Sequence, residues 1–158
     1  MDIKTLQRFS NTFLKFAQES VDTPNISIQP GRAETNCALE ILKAWDPNYF
    51  VGISEIVVSP SAQYGHVESG PDRDPTIIYL NADRIIAESN GDYQGKSAAI
   101  ACASTIAHEK GHVDSFDPEQ GFVGGETPAI AQEQAFEAWL NGGGMQIVEA
   151  LPSYQALV

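Results

Sequence analysis

The chain alternates between segments in which apolar residues recur at helical spacing and short segments rich in β-branched residues. The N-terminal stretch MDIKTLQRFSNTFLKFAQES has charged residues interleaved with apolar positions at helical spacing, namely Ile3, Leu6, Phe9, Phe13 and Phe16. The stretch RAETNCALEILKAW has a similar spacing and stops before DPN, which breaks helices. Both segments are predicted to be helices.

The β-branched segments predict a small sheet in the middle of the chain. VGISEIVVSP (51–60) and PTIIYLNAD (75–83) are rich in Ile and Val and are bounded by Pro, Gly and Asp, as is typical of strands. NISIQ is a weaker candidate for a third strand. Polar, turn-forming composition predicts loops at 19–26, 60–75 and 117–127.

After Asn81 the pattern becomes helical again. ADRIIAES is short, whereas GKSAAIACASTIAHEKGHVDSF is long and rich in Ala. In GGETPAIAQEQAFEAWLNGGG, Thr127 can cap a helix, Pro128 suits its first turn, and the glycines at 142–144 can end it. This order predicts an α+β fold with a small sheet followed by helices. Since no repeat or linker divides the chain, we expect residues 1–158 to form one domain.

Composition and charge limit the classes of function. The hydrophobic content of 42% is typical of a globular protein, and no apolar run approaches the roughly 20 residues needed to cross a bilayer. The N-terminus lacks the apolar block and cleavage site of a signal peptide, so we expect a soluble, cytoplasmic protein with no membrane partner. The net charge of -12 argues against nucleic acid as a partner. The oligomeric state is left open.

The chain has two cysteines, Cys37 and Cys102, and neither belongs to a CxxC pair. Thiolate metal binding therefore has no support in the sequence. Cys102 lies in an apolar, helix-like run, so we expect both residues to be buried free thiols rather than a disulfide.

The segment most relevant to function is TIAHEKGHVDSF, residues 105–116. On a helix, His108 and His112 lie on one face about one turn apart, so both can present an imidazole nitrogen to one metal ion. Glu109 is rotated roughly 100° from His108, which places its carboxylate beside the metal rather than on it. This spacing indicates a metal site with an adjacent carboxylate.

The alternative is a pair of histidines on a helix surface. The preceding run SAAIACASTIA is almost uncharged and indicates a buried helix, in which neighbouring histidines need partners or a ligand. Gly111 costs about 1 kcal/mol relative to Ala in a helix, which indicates that another element approaches the helix closely there. Both observations favour the metal site.

The residues His108, Glu109, Lys110, Gly111 and His112 resemble the HExxH motif of the zincin metallopeptidases. The resemblance implies a Zn2+ cofactor and a motif helix packed against a small mixed or antiparallel sheet. It also implies a peptide or protein substrate, bound in extended form along an edge strand upstream of the motif. TIIYLN, residues 76–81, occupies that place in the chain and is either this edge strand or an ordinary buried strand.

A catalytic zinc needs a third protein ligand and an open position for water. The metzincin pattern would require glycine at position 115 and histidine at 118, where the chain has Ser115 and Pro118. The resemblance therefore points to the gluzincins, which take a glutamate from a following helix.

Three glutamates of the segment GGETPAIAQEQAFEAWLNGGG are candidates for that ligand. Glu133 is favoured because it follows His112 by 21 positions, which resembles the gluzincin spacing. Glu126 is the next candidate and Glu137 the third. Glu137 lies one turn after Glu133 and could instead orient a ligand.

By resemblance, the protein is expected to be a zinc-dependent metallopeptidase. Glu109 would act as general base, taking a proton from a metal-activated water and returning it to the leaving amine. His66 and Tyr154 are candidates for a second donor to the developing oxyanion. The alternatives are a catalytically inactive zinc-binding structural or interaction domain, closed by a fourth ligand such as Glu126 or His66, and a helical module without metal.

Overall fold

The structure is a computed structural model that describes residues 26–61, 63–89 and 94–157. The helix predicted near the N-terminus lies outside these residues. Along the described chain the elements are β1 (Ile28–Gln29), α1 (Ala33–Trp45), β2 (Glu55–Val58), β3 (Gly65–His66), β4 (Ile77–Leu80), α2 (Ala82–Ser89), α3 (Gln94–Asp114), β5 (Phe116–Asp117), β6 (Gly121–Phe122), α4 (Thr127–Trp139), α5 (Met145–Ala150) and α6 (Pro152–Gln155). The predicted α+β class is confirmed.

The main sheet is mixed and has the order β1-β2-β4-β3. Strands β1, β2 and β4 are parallel, whereas β3 is antiparallel to β4. Because β4 has a partner on each side, the prediction that residues 76–81 form an edge strand is wrong. The segment is instead an ordinary strand inside the sheet, buried or half-buried along its length, in line with the alternative of a buried strand. The edge next to the HExxH helix is β3.

Strand β3 lies in the segment 60–75, which was predicted as a loop. The hairpin of β5 and β6 likewise falls almost entirely in the predicted loop at 117–127. Each of these strands has two residues, which is too short to show the period-2 alternation that identifies a strand in sequence. Only pairing with a distant partner distinguishes them from loop.

Helix α3 is the centre of the fold. It packs against α1, α2, α4, β3 and β4. Its fully buried positions are Ala98, Ala99, Cys102, Ala103, Ile106 and Ala107. Small side chains let several neighbours approach one helix at close range, which explains why this run is uncharged and rich in Ala. The expected buried helix is confirmed.

Helix α4 approaches α3 closely at Gly111. A Cβ at Gly111 would lie 2.5 Å from the Pro128 carbonyl oxygen and 2.6 Å from the Ala129 Cα. Both of these atoms belong to the backbone, so no side-chain rotation could relieve the overlap. The expectation that Gly111 marks a close approach is confirmed.

Glycines end helix α4, as predicted. Gly142 and Gly143 leave helical geometry, and Gly143 has a φ of +115°, a conformation that favours glycine. The chain then forms α5 and α6, neither of which was predicted. None of the described helices combines the length and the apolar character that spanning a membrane requires.

Both cysteines are free and buried, as expected. Burial is the main cause that raises the pKa of each thiol, and the pKa of Cys102 reaches about 12. Neither thiol is therefore expected to act as a nucleophile near neutral pH. Among the described residues, neither cysteine belongs to a group that could hold a metal ion.

Candidate metal centre

The last two turns of α3 form the floor of an open cleft of about 690 Å³. The cleft is also lined by the segment 63–67, which contains β3, and by Arg84 of α2. Phe122, Gly125, Glu126 and Glu133 contribute further lining from the hairpin, the following connection and α4. His108, Glu109 and His112 all line this cleft, so the predicted motif residues are brought together at one surface.

The two histidines converge on the carboxylate of Glu126. The Nε2 atom of His108 lies 2.9 Å from Glu126 Oε2, and the Nε2 atom of His112 lies 3.3 Å from Glu126 Oε1. One ligand atom from each of these three residues lies within 4.8 Å of the others, so the group could hold a metal ion. The His112 side chain is only 12% exposed, whereas that of Glu126 is 64% exposed.

Glu133, the favoured third ligand, also reaches the site but on another side of the imidazole. Its Oε2 lies 3.3 Å from Nδ1 of His108, the ring nitrogen that does not face Glu126. Glu137, one turn later on α4, is exposed and does not line the cleft. Glu126 and Glu133 thus both contact His108, each at a different ring nitrogen. The role of Glu133 as a metal ligand stays a prediction.

The position of Glu126 follows from the connection between the hairpin and α4. Gly124 and Gly125 have positive φ angles of +89° and +58°, which glycine adopts without strain. Glu126 is the N-cap residue of α4, but its side chain makes no capping hydrogen bond. Thr127 is the first helical residue, so the prediction that it caps the helix is wrong by one position. The Glu126 carboxylate instead contacts the histidines.

Glu109 is buried beneath the edge strand. It is 5% exposed, and a Cβ at Gly65 of β3 would lie 3.0 Å from its Cγ. Burial raises the pKa of Glu109 to about 7, the charge of His108 acts in the opposite direction, and the charge of Glu126 raises the pKa further. A carboxyl group in this setting can both accept and release a proton near neutral pH.

An aromatic pair covers the hairpin side of the histidines. The ring of Phe122 meets that of His112 edge-on at 6.1 Å, and Phe116 lies 5.3 Å from Phe122. Sequence reasoning did not identify Phe122 as a site residue. The one feature of the sequence that could have pointed to Phe122 is its position shortly after the HExxH motif. The orientation of its ring towards the cleft depends on the β5–β6 hairpin, which the sequence did not predict.

The two candidates for a second donor are in different parts of the fold. His66 lines the cleft, stacks on Tyr79 at 4.8 Å, and has its Nε2 3.4 Å from Glu68. Its Nδ1 is buried and has no hydrogen-bond partner among the described residues. Tyr154 is buried in α6 under Lys96 and does not line the cleft. The structure therefore opposes the prediction for Tyr154.

Comparison with known proteins gives no match. No protein-family model, curated protein or solved structure is significantly similar to this chain. The chemical groups in the cleft are therefore the basis for assigning a function.

Proposed function

We propose that the protein is a zinc-dependent metallopeptidase with a zincin-like arrangement, in which Glu109 is the general base. One observation supports this most directly. Nε2 of His108, Nε2 of His112 and the Glu126 carboxylate converge within 4.8 Å at the floor of an open cleft, and Glu109 is the next residue after His108. Two imidazoles, an adjacent carboxylate and access for a substrate are the parts that metal-assisted hydrolysis requires.

The donor set fits zinc. Catalytic zinc is commonly held by three side chains drawn from His, Glu, Asp and Cys, whereas structural zinc is usually closed by a fourth. His108, His112 and Glu126 would hold the ion. When bound, zinc supplies Lewis acidity, which acidifies water and polarises a carbonyl group.

We assign Glu126 as the third ligand and Glu133 as the partner of His108. A histidine that binds a metal through one nitrogen almost always donates its other N–H to a carboxylate or carbonyl group. Glu133 Oε2 is 3.3 Å from Nδ1 of His108 and can accept that hydrogen bond. The bond selects the tautomer whose Nε2 lone pair faces Glu126 and His112. Glu133 thus orients a ligand in this assignment, which differs from the role that the resemblance favours.

Glu109 acts on the proton of the attacking water. Its carboxylate accepts that proton as the peptide carbonyl is attacked, and then transfers it to the nitrogen of the leaving amine. Burial under Gly65 restricts the side chain, so the carboxyl group is held beside the ligand turn of α3. His66 is the candidate for the second donor, since it lines the same cleft.

The edge strand provides a place for an extended peptide. Strand β3 pairs with β4 on one side, and its segment 63–67 lines the cleft. A substrate backbone can add to such an edge by main-chain hydrogen bonds. This geometry would carry a peptide across Glu109, because Gly65 of β3 lies directly over that residue.

Metal content and peptide hydrolysis together test the assignment. We would measure zinc by elemental analysis and cleavage of a mixed peptide library by mass spectrometry, for wild type and for Glu109→Gln, Glu126→Gln and Glu133→Gln. Glu137→Gln is the matched control, since Glu137 is exposed on the same helix as Glu133 and lies outside the cleft.

We expect one zinc per wild-type chain and cleavage of peptides. Glu109→Gln should keep the zinc and lose cleavage, and Glu126→Gln should lose the zinc. Glu133→Gln should weaken zinc affinity by roughly 10- to 100-fold, as is typical when a hydrogen-bond partner of a ligand is removed. A wild type that stays metal-free in excess zinc would refute the proposal, and zinc loss with Glu133→Gln but not Glu126→Gln would exchange the two roles.

A catalytically inactive zinc-binding domain is the second candidate. One observation favours it: Glu126 and Glu133 both lie within 3.3 Å of a His108 nitrogen, so two carboxylates are available beside the histidines. Four protein ligands would close the coordination sphere, as in structural zinc sites. Bound zinc without cleavage of any peptide would support this candidate.

A further inference from the structure

The two imidazoles of the metal centre have different surroundings. Nδ1 of His108 lies 3.3 Å from Glu133, whereas no hydrogen bond from a described residue reaches Nδ1 of His112. The polar contact of the His112 ring is the one at Nε2, 3.3 Å from Glu126. A histidine that binds a metal is normally oriented by a hydrogen bond on its second nitrogen. Within the described part of the chain, the contacts that can orient the His112 ring are therefore those of packing.

Two rings pack against the imidazole of His112. The His108 ring lies 5.4 Å away at an interplanar angle of 74°, and the Phe122 ring lies 6.1 Å away at 68°. Both arrangements are edge-to-face, at separations where aromatic pairs attract each other. His108 belongs to the same helix as His112, so Phe122 is the ring that reaches the imidazole from another element.

The hairpin holds Phe122 in place and is tied to the backbone of His112. Phe116 and Phe122 are paired across β5 and β6, with their rings 5.3 Å apart. The N–H of Val123 donates to the Ser115 carbonyl oxygen at 3.1 Å, and the Ser115 hydroxyl donates to the His112 carbonyl oxygen at 3.0 Å. One short segment thus anchors both the ring of Phe122 and the residue that it contacts.

We propose that Phe122 is a positioning residue, whose ring holds the imidazole of His112 with Nε2 turned towards Glu126. The inference rests on the proposed metal centre and adds to it a residue that binds neither metal nor substrate. The two histidines would be oriented by different means, His108 by the carboxylate of Glu133 and His112 by an aromatic ring. Removing the ring should therefore weaken the site without removing an atom that binds the ion.

Zinc affinity, measured by chelator competition, tests this role in three variants. Phe122→Leu removes the ring but keeps an apolar side chain, and Phe122→Tyr keeps the ring. Phe116→Leu is the matched control, because it removes a ring of the same hairpin whose aromatic contact is with Phe122. Thermal unfolding of the metal-free proteins measures how much stability each variant loses.

We expect Phe122→Leu to lower zinc affinity at least about tenfold, as when a group that orients a metal ligand is removed. Phe122→Tyr should restore affinity close to that of wild type. Phe116→Leu should lose less affinity than Phe122→Leu, even where the two variants have the same Tm. Wild-type affinity in Phe122→Leu, or an equal loss in the two leucine variants at equal Tm, would overturn the inference.

Nuclear magnetic resonance of the metal-free protein separates this inference from the proposed function, since it needs neither zinc nor turnover. Relaxation of the imidazole carbons should show a rigid His112 ring in wild type and Phe122→Tyr, and a more mobile one in Phe122→Leu. The His108 ring should change little. This pattern supports the inference even if wild type binds no zinc. A His112 ring that stays equally rigid in Phe122→Leu overturns it even if wild type is an active zinc peptidase.

Discussion

Helix α4 packs on α3 at Gly111, in the turn that carries His108 and His112. A methyl group at this position tests whether that packing brings Glu126 to the two histidines. In Gly111→Ala, the new Cβ would lie 2.5 Å from the Pro128 carbonyl oxygen and 2.6 Å from the Ala129 Cα. Ordinary contact begins near 3.4 Å, so the start of α4 would have to move by about 0.9 Å. The overlap is with backbone, so the helix itself must shift.

Gly111→Ala should reduce zinc affinity and peptide cleavage more than it reduces the free energy of unfolding. Overpacking costs about 1–3 kcal/mol, and replacing glycine by alanine in a helix returns about 1 kcal/mol, so the net loss should be at most about 2 kcal/mol. The helix propensity of alanine restores part of the stability, but it does not restore the position of Glu126, which lies 2.9 Å from His108. A misplacement of about 1 Å can cost about 100-fold in rate. We therefore expect a folded protein with zinc affinity and peptide cleavage each reduced at least about tenfold.

The assay combines zinc affinity from chelator competition, peptide cleavage and thermal unfolding. Gly142→Ala is the matched control, since no atom lies within 4 Å of a Cβ at that position and its φ of −91° suits alanine. The control should keep wild-type values in all three measurements. If Gly111→Ala also kept wild-type zinc affinity and cleavage, the reasoning that close packing of α4 sets the ligand geometry would be refuted.

Three further predictions concern the edge strand, the metal and the buried thiol. Gly65→Ala places a Cβ 3.0 Å from Glu109 Cγ and 2.9 Å from Thr105 Cγ2. Because this overlap displaces Glu109, kcat should fall while the zinc content stays at the wild-type level. An unchanged kcat would contradict this reasoning. Zinc at 100 times its Kd should stabilise the fold by about 2.7 kcal/mol in thermal or urea unfolding, and His112→Ala should lose this increment. Cys102 is fully buried, and burial raises its pKa to about 12. A thiol reagent at pH 8 should therefore label Cys102 only as fast as the protein unfolds. Rapid labelling of the native protein would contradict its burial.

Periodicity in the sequence was sufficient for the longer elements. Helices α1, α2, α3 and α4 and strands β2 and β4 were all predicted near their observed positions, because their side chains repeat with a period set by backbone geometry. The same local geometry placed His108, Glu109 and His112 on neighbouring faces of one helix. It also identified Gly111 as a point of close approach.

Tertiary structure alone decided which distant groups meet at the motif. Strand β3 becomes the edge strand only by pairing with β4, and two residues have no detectable period. Glu126 and Glu133 are 18 and 25 positions from His108, and no local rule states which imidazole nitrogen each reaches. Arg84 and Tyr64 are 20 positions apart, and only tertiary packing brings the guanidinium of Arg84 over the Tyr64 ring. Sequence thus determined the chemistry of the helix, whereas long-range packing determined which carboxylate faces the histidines and which cation faces the cleft.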